Sequence, residues 1–115
     1  MRLRTVWLLS LISVCSMVSA QTLKDAIRLT VNEQYEEATG TFKALLQKEP
    51  ANATNYYYFG KNYIQQEELD SARAIFQKGT EVDAKNPLNF IGLGEVLLNE
   101  AKISEIPGYS LIISS

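Results

Sequence analysis

A shift of thirty-four residues lays this chain on itself. Under it Asn52 falls on Asn86, Tyr56 on Phe90, Phe59 on Leu93, Gly60 on Gly94 and Tyr63 on Leu97. The same shift carries Tyr35 to Leu69, Ala38 to Ala72 and Phe42 to Phe76. A unit of this size cannot bury its own apolar face. Successive units therefore have to stack on one another, and the fold is an array and not a globule with one central core.

Within each unit the apolar spacing is helical. Tyr35, Ala38, Phe42, Leu45 and Leu46 form one stripe, and Tyr56, Phe59, Gly60 and Tyr63 form another. Asn52 and Asn86 suit helix N-caps, Pro87 suits a first helical position where an N–H is not missed, and Pro50 marks a stop between hairpins. The pattern predicts helices over 22–33, 35–48, 53–66, 69–82 and 87–100, with a sixth starting near Lys102. Glycine inside a helix costs about 1 kcal/mol relative to alanine, so Gly60 and Gly94 need a reason. Close approach supplies one, with Ala38 and Ala72 as the small counterparts on each second helix.

These residues resemble the tetratricopeptide repeat family, whose unit is a 34-residue helical hairpin. The family's aromatic, Leu-Gly, Tyr, Ala and Phe positions correspond to Tyr56, Phe59-Gly60, Tyr63, Ala72 and Phe76; the first unit matches through Ala26, Ala38, Phe42 and Pro50. The likeness runs from about Thr22 to Ile106. It implies an all-α, right-handed superhelix of antiparallel hairpins, about two and a half units long, over residues 21–106. The chain departs from the pattern at Ala84, where the family has proline, and at Gly79, where it usually has alanine, so that helix end is expected to be loose. In the third unit Ile106 takes the place of Ala38 and Ala72, and Pro107-Gly108 follows it. Proline inside a helix costs roughly 3 kcal/mol, so the last hairpin is expected to stop there. Residues 107–115 form an apolar tail without helical spacing, read as a truncated third repeat or as a strand-like segment folded over the open end.

The first twenty residues stand apart. Arg2 and Arg4 precede the apolar run Val6 to Val18, and Val18-Ser19-Ala20 offers small side chains to a signal peptidase. We expect residues 1–20 to be a signal peptide cleaved before Gln21. An uncleaved anchor needs about twenty apolar residues, more than this serine-broken run supplies. Val14 before Cys15 does not fit a lipidation signal, and Arg2-Leu3-Arg4 is not a twin-arginine pair. The protein is thus expected to be exported, to the periplasm or outside the cell, with no membrane span after cleavage.

Residues 21–115 hold nine basic and thirteen acidic side chains, a net charge of 9 minus 13, or −4. That balance lacks the basic footprint of a nucleic-acid binder. This part has no cysteine and the chain has no histidine, which rules out thiolate, disulfide and histidine-based chemistry. Neither catalysis nor a cofactor is expected. The resemblance instead implies a protein or peptide partner on the concave surface, lined by the first helix of each hairpin. Carried over by position, its candidates are Tyr57, Lys61 and Ile64 in unit two and Ile91, Glu95 and Leu98 in unit three. Each triplet has i, i+4, i+7 spacing and so forms one ridge.

Of the run Tyr56-Tyr57-Tyr58, Tyr56 belongs to the core stripe and Tyr58 is expected between hairpins, which leaves Tyr57 for contact. Lys61 stands where a carboxylate clamp would want asparagine, and Asn62 points elsewhere. Glu36-Glu37 and Glu67-Glu68 with Asp70 read as solvated charges at helix starts. Gly92-Leu93-Gly94 lacks the third glycine of a phosphate loop. Asn52-Ala53-Thr54 is an N-glycosylation sequon, and Asp70-Ser71-Ala72 resembles an O-glycosylation signal. Fewer than three complete units make a marginal array. The chain is therefore expected to be partner-stabilised, to self-associate through its uncapped end, or to be the N-terminal part of a longer envelope protein.

Overall fold

The computed structural model describes residues 21–108. The leader reading at 1–20 and the tail after Gly108 lie outside the described residues. Five helices follow in order: α1 (Leu23–Val31), α2 (Tyr35–Lys48), α3 (Ala53–Gln65), α4 (Leu69–Val82) and α5 (Leu88–Ser104). No strand occurs among the described residues. Each helix packs on the next, and in addition α1 packs on α3 and α3 on α5. The first helices of successive units therefore lie side by side as one layer.

The helix starts follow the local chemistry. Thr22 and Asp25 close a capping box at α1: the Asp25 N–H donates to Thr22 Oγ1 at 3.3 Å and the Thr22 N–H to Asp25 Oδ2 at 3.0 Å. Those bonds from Thr22 hold the Asp25 carboxyl below the usual aspartate range. Asn52 Oδ1 accepts the Thr54 N–H at 3.2 Å, and Asn86 Oδ1 accepts the Leu88 N–H at 3.0 Å with Pro87 between. Asn52 is thus the cap of α3 as expected, whereas α5 starts at Leu88 with Pro87 in the cap position and Asn86 one residue before it.

The turns inside the two hairpins are copies of each other. Glu33 and Glu67 both have φ of 60°. The Gln34 N–H reaches Leu29 O at 2.9 Å and the Glu68 N–H reaches Tyr63 O at 3.0 Å, the six-to-one bond of a Schellman ending, whose left-handed position usually holds glycine. A side chain there costs roughly 1–2 kcal/mol. Glu67→Gly is thus expected to stabilise the array by about 0.5–1 kcal/mol after glycine's own entropy is counted. A urea midpoint equal to or below that of the parent would contradict this.

Two core clusters follow. Ala26, Ala38, Phe42, Leu45 and Phe59 make the first, with Phe42 and Phe59 stacked at 5.4 Å between ring centres. Ala72, Phe76 and Val96 make the second, and Tyr63 packs against both. Phe76 lies in a slot between two glycines: a Cβ at Gly60 would come within 2.3 Å of its ring, and one at Gly92 within 2.4 Å.

Several expectations need correction. Gly60 does allow close approach, and what comes nearest to it is the Phe76 ring. Gly94 meets nothing within 4 Å, because no second helix covers α5 among the described residues. For the same reason Phe90 and Leu97, aligned with the core positions Tyr56 and Tyr63, are 50 % and 63 % exposed. No sixth helix starts near Lys102; α5 runs through it to Ser104. The α4 end at Gly79 is not loose. Gly79 is buried, and its missing Cβ makes room for the Asn89 side chain, which would otherwise lie 2.3 Å away. Asn89 Nδ2 donates to Ala53 O at 3.0 Å, tying α5 to the start of α3.

Candidate binding groove

The side-by-side layer of α1, α3 and α5 turns one face of each helix the same way. A groove of about 410 Å³ opens between α1 and α3, lined by Ile27 and Val31 from α1, Tyr57, Tyr58 and Lys61 from α3, and Tyr35 from α2. Its walls are mainly apolar and aromatic, with Lys61 and Glu33 as the charged groups. That volume and lining suit an apolar side chain or two of an inserted segment, with a few polar groups to orient it.

Tyr57 is the best-placed anchor. Its ring lies 5.1 Å from that of Tyr58 and 6.1 Å from that of Phe76, so the groove wall rests directly on the second core cluster. Burial first, and then the carboxylate of Glu95, raise the Tyr57 phenol above the ordinary tyrosine range, with Lys61 working against them. The phenol thus stays protonated and able to donate a hydrogen bond throughout the neutral range.

Lys61 and Glu95, one repeat apart, form an ion pair from α3 to α5. Both are only partly exposed, so the pair fixes the spacing of the two helices more than it stabilises the fold. Ile64 is half-buried and packs against the second cluster. Ile91 and Leu98, at 51 % and 63 % exposed, continue the row on α5 but do not line the groove between α1 and α3. The structure therefore brings Tyr57, Lys61 and Glu95 together, sets Ile64 behind them and leaves Ile91 and Leu98 at the open end.

Ile27, Thr30 and Val31 were not among the sequence candidates. The signal was available, since the thirty-four-residue shift that relates Lys61 to Glu95 also relates it to Ile27, and Ile64 to Thr30. Unit one was passed over because it lacks the leading aromatic. Asn62 indeed points away from the groove. It is fully buried, its Oδ1 accepts from Thr30 Oγ1 at 2.9 Å, and its Nδ2 donates to Thr39 Oγ1 at 3.0 Å. It joins α1, α2 and α3. Asn52 of the sequon is engaged both as the α3 cap and with Glu49, at 3.2 Å from Nδ2 to Oε2.

Helical hairpins packed one on the next, with their first helices side by side, define a helical-repeat fold. The sequence profile of the tetratricopeptide repeat matches residues 31–88, half of the 115 residues, and the chain belongs to that family. No curated protein and no solved structure matches it significantly. Such repeats are protein–protein interaction scaffolds. Among the described residues, no helix is long and apolar enough to cross a membrane.

Proposed function

We propose that this protein is an exported scaffold that holds a segment of a protein partner in the groove between α1 and α3. The observation that carries the reading is the apolar, aromatic cleft formed by Ile27, Val31, Tyr57 and Tyr58 with Lys61 at its edge. The cleft selects a segment with an apolar anchor, and Tyr57 adds a hydrogen-bond donor beside it. Lys61 is already neutralised by Glu95, so a partner's carboxylate gains little from it. Support for export comes from the N-terminal run ending at Ala20. An intact mass corresponding to residues 21–115 in the soluble exported fraction of producing cells would agree with it, and retention of the full chain in the cell would not.

Panning a displayed peptide library against the chain tests the groove. Peptides enriched on the parent are expected to lose about tenfold or more in affinity on Tyr57→Ala with Lys61→Ala, since truncating a buried anchor costs about 1–2 kcal/mol or more. An Ile27→Asp variant is expected to bind none of them. Equal recovery by parent and variants, with helical content unchanged, would remove the groove assignment.

A further inference from the structure

The outer face of α5 carries a pattern that the binding groove does not use. Phe90, Ile91, Gly94, Leu97, Leu98 and Ala101 fall within about 120° of the helix circumference at 3.6 residues per turn. The four large ones among them are each at least half exposed. No ionised side chain interrupts them within α5. The opposite face, with Asn89, Gly92 and Val96, is buried against unit two.

The order of these residues is symmetric about Gly94. Large apolar side chains stand three and four positions before it, at Ile91 and Phe90, and three and four after it, at Leu97 and Leu98. An isologous two-fold contact requires a surface complementary to itself, and this row meets that condition. With two α5 helices antiparallel and crossing at Gly94, Phe90 of one copy faces Leu98 of the other and Ile91 faces Leu97. The crossing point has no side chain, and nothing among the described residues lies within 4 Å of where a Cβ would sit. The register-matched Gly60 shows what such a gap accepts, since the Phe76 ring fills it. The chain's own repeat register offers no such ring to Gly94: the position matching Phe42 and Phe76 is Ser110, beyond Pro107.

We propose that the chain forms a two-fold homodimer through α5, with Gly94 at the crossing point. From Phe90 to Ala101 the face is one helix wide and roughly 17 Å long at 1.5 Å per residue. Two such faces bury on the order of 800 Å², the size of a weak, transient contact. The dimer is therefore expected to dissociate in the micromolar range, and the groove between α1 and α3 stays open in it.

Sedimentation equilibrium of the chain, with Cys15→Ser to remove the native thiol, tests this. A monomer–dimer equilibrium is expected in the micromolar range, and Leu97→Glu, which alters an exposed position, is expected to raise the dissociation constant about a hundredfold at unchanged helical content. In the same background Gly94→Cys is expected to yield a disulfide-linked dimer under mild oxidation, whereas Gly40→Cys, on exposed α2 surface, is not. A chain that stays monomeric at high concentration would overturn the proposal, whether residues 109–115 or a different protein covers the face. So would a dimer indifferent to Leu97→Glu, or equal cross-linking at both cysteine positions.

Discussion

Phe76→Ala is expected to remove the cooperative unfolding transition of α3, α4 and α5. Truncating a buried phenylalanine costs about 3–5 kcal/mol, comparable to the whole stability of a small marginal domain, about 5 kcal/mol. The effect belongs at the high end because the ring is fully buried and its two flanking positions, Gly60 and Gly92, have no side chains with which to fill the space. The slot also makes a sharper claim. Gly60→Ala alone drives a Cβ into the ring and is expected to cost about 1–3 kcal/mol. Combined with Phe76→Ala it is expected to do far less harm, because the clash is gone and the methyl group fills part of the cavity. Urea unfolding of the two single variants and the double variant, followed by circular dichroism, measures that coupling. Additive losses would mean that glycine and ring do not share one space.

Asn62→Ala is expected to cost about 1–2 kcal/mol, because a fully buried amide that ties three helices together is lost. The half-buried Thr39 hydroxyl loses its donor and the Tyr35 carbonyl its 3.5 Å contact, while the Thr30 hydroxyl keeps only the Ala26 carbonyl, at 3.2 Å, as acceptor. The loss is expected to be local. Amide exchange should rise in α1 and α2 while α4 and α5 keep their protection, since the side-chain partners of Asn62 in this network, Thr30, Tyr35 and Thr39, lie on α1 and α2. Uniform loss of protection along the chain would count against this account, and so would Asn62→Leu restoring parental stability, since that would make the site a matter of packing volume alone.

Helix positions were legible in the sequence because the repeat supplies two readings of each element. Asn52 caps where expected, and α2 and α4 have the expected bounds of 35–48 and 69–82. What escaped was whatever depends on a neighbour's identity. Gly60 and Gly94 occupy the same register, yet among the described residues one is filled by Phe76 and the other meets nothing within 4 Å. Gly79 reads as a flaw in α4, yet Asn89 from the next unit occupies its space. Asn55 and Asn89 are also one repeat apart and both buried, but polar residues on a helical stripe do not announce burial in a single sequence. Glu33 and Glu67 gave no warning of a left-handed backbone, which their residue type disfavours.

On the groove, the sequence located α3 through the family pattern, and Tyr57 and Lys61 line the cleft, whereas Ile91, Glu95 and Leu98 of α5 do not. It missed the α1 wall of Ile27 and Val31 because unit one lacks the leading aromatic that marks the pattern. The Lys61–Glu95 pair could not be foreseen from either triplet alone, since it crosses between them.

Tyr63 has a consequence for how such a short array melts. Its ring stacks on Phe59 at 4.9 Å in the first cluster, and the same side chain packs against the second. In a one-dimensional chain of units, the free energy of the contact between neighbours decides whether they cross the transition together or separately. Among the described residues Tyr63 is the apolar side chain that packs against both clusters, and together with the Phe42–Phe59 stack it carries order from one unit to the next. With it in place, heat or denaturant is expected to remove both units in one step. Shortened to alanine, it would let unit one melt while unit two still stands, and a segment gripped between α1 and α3 would be released before the rest of the molecule had unfolded.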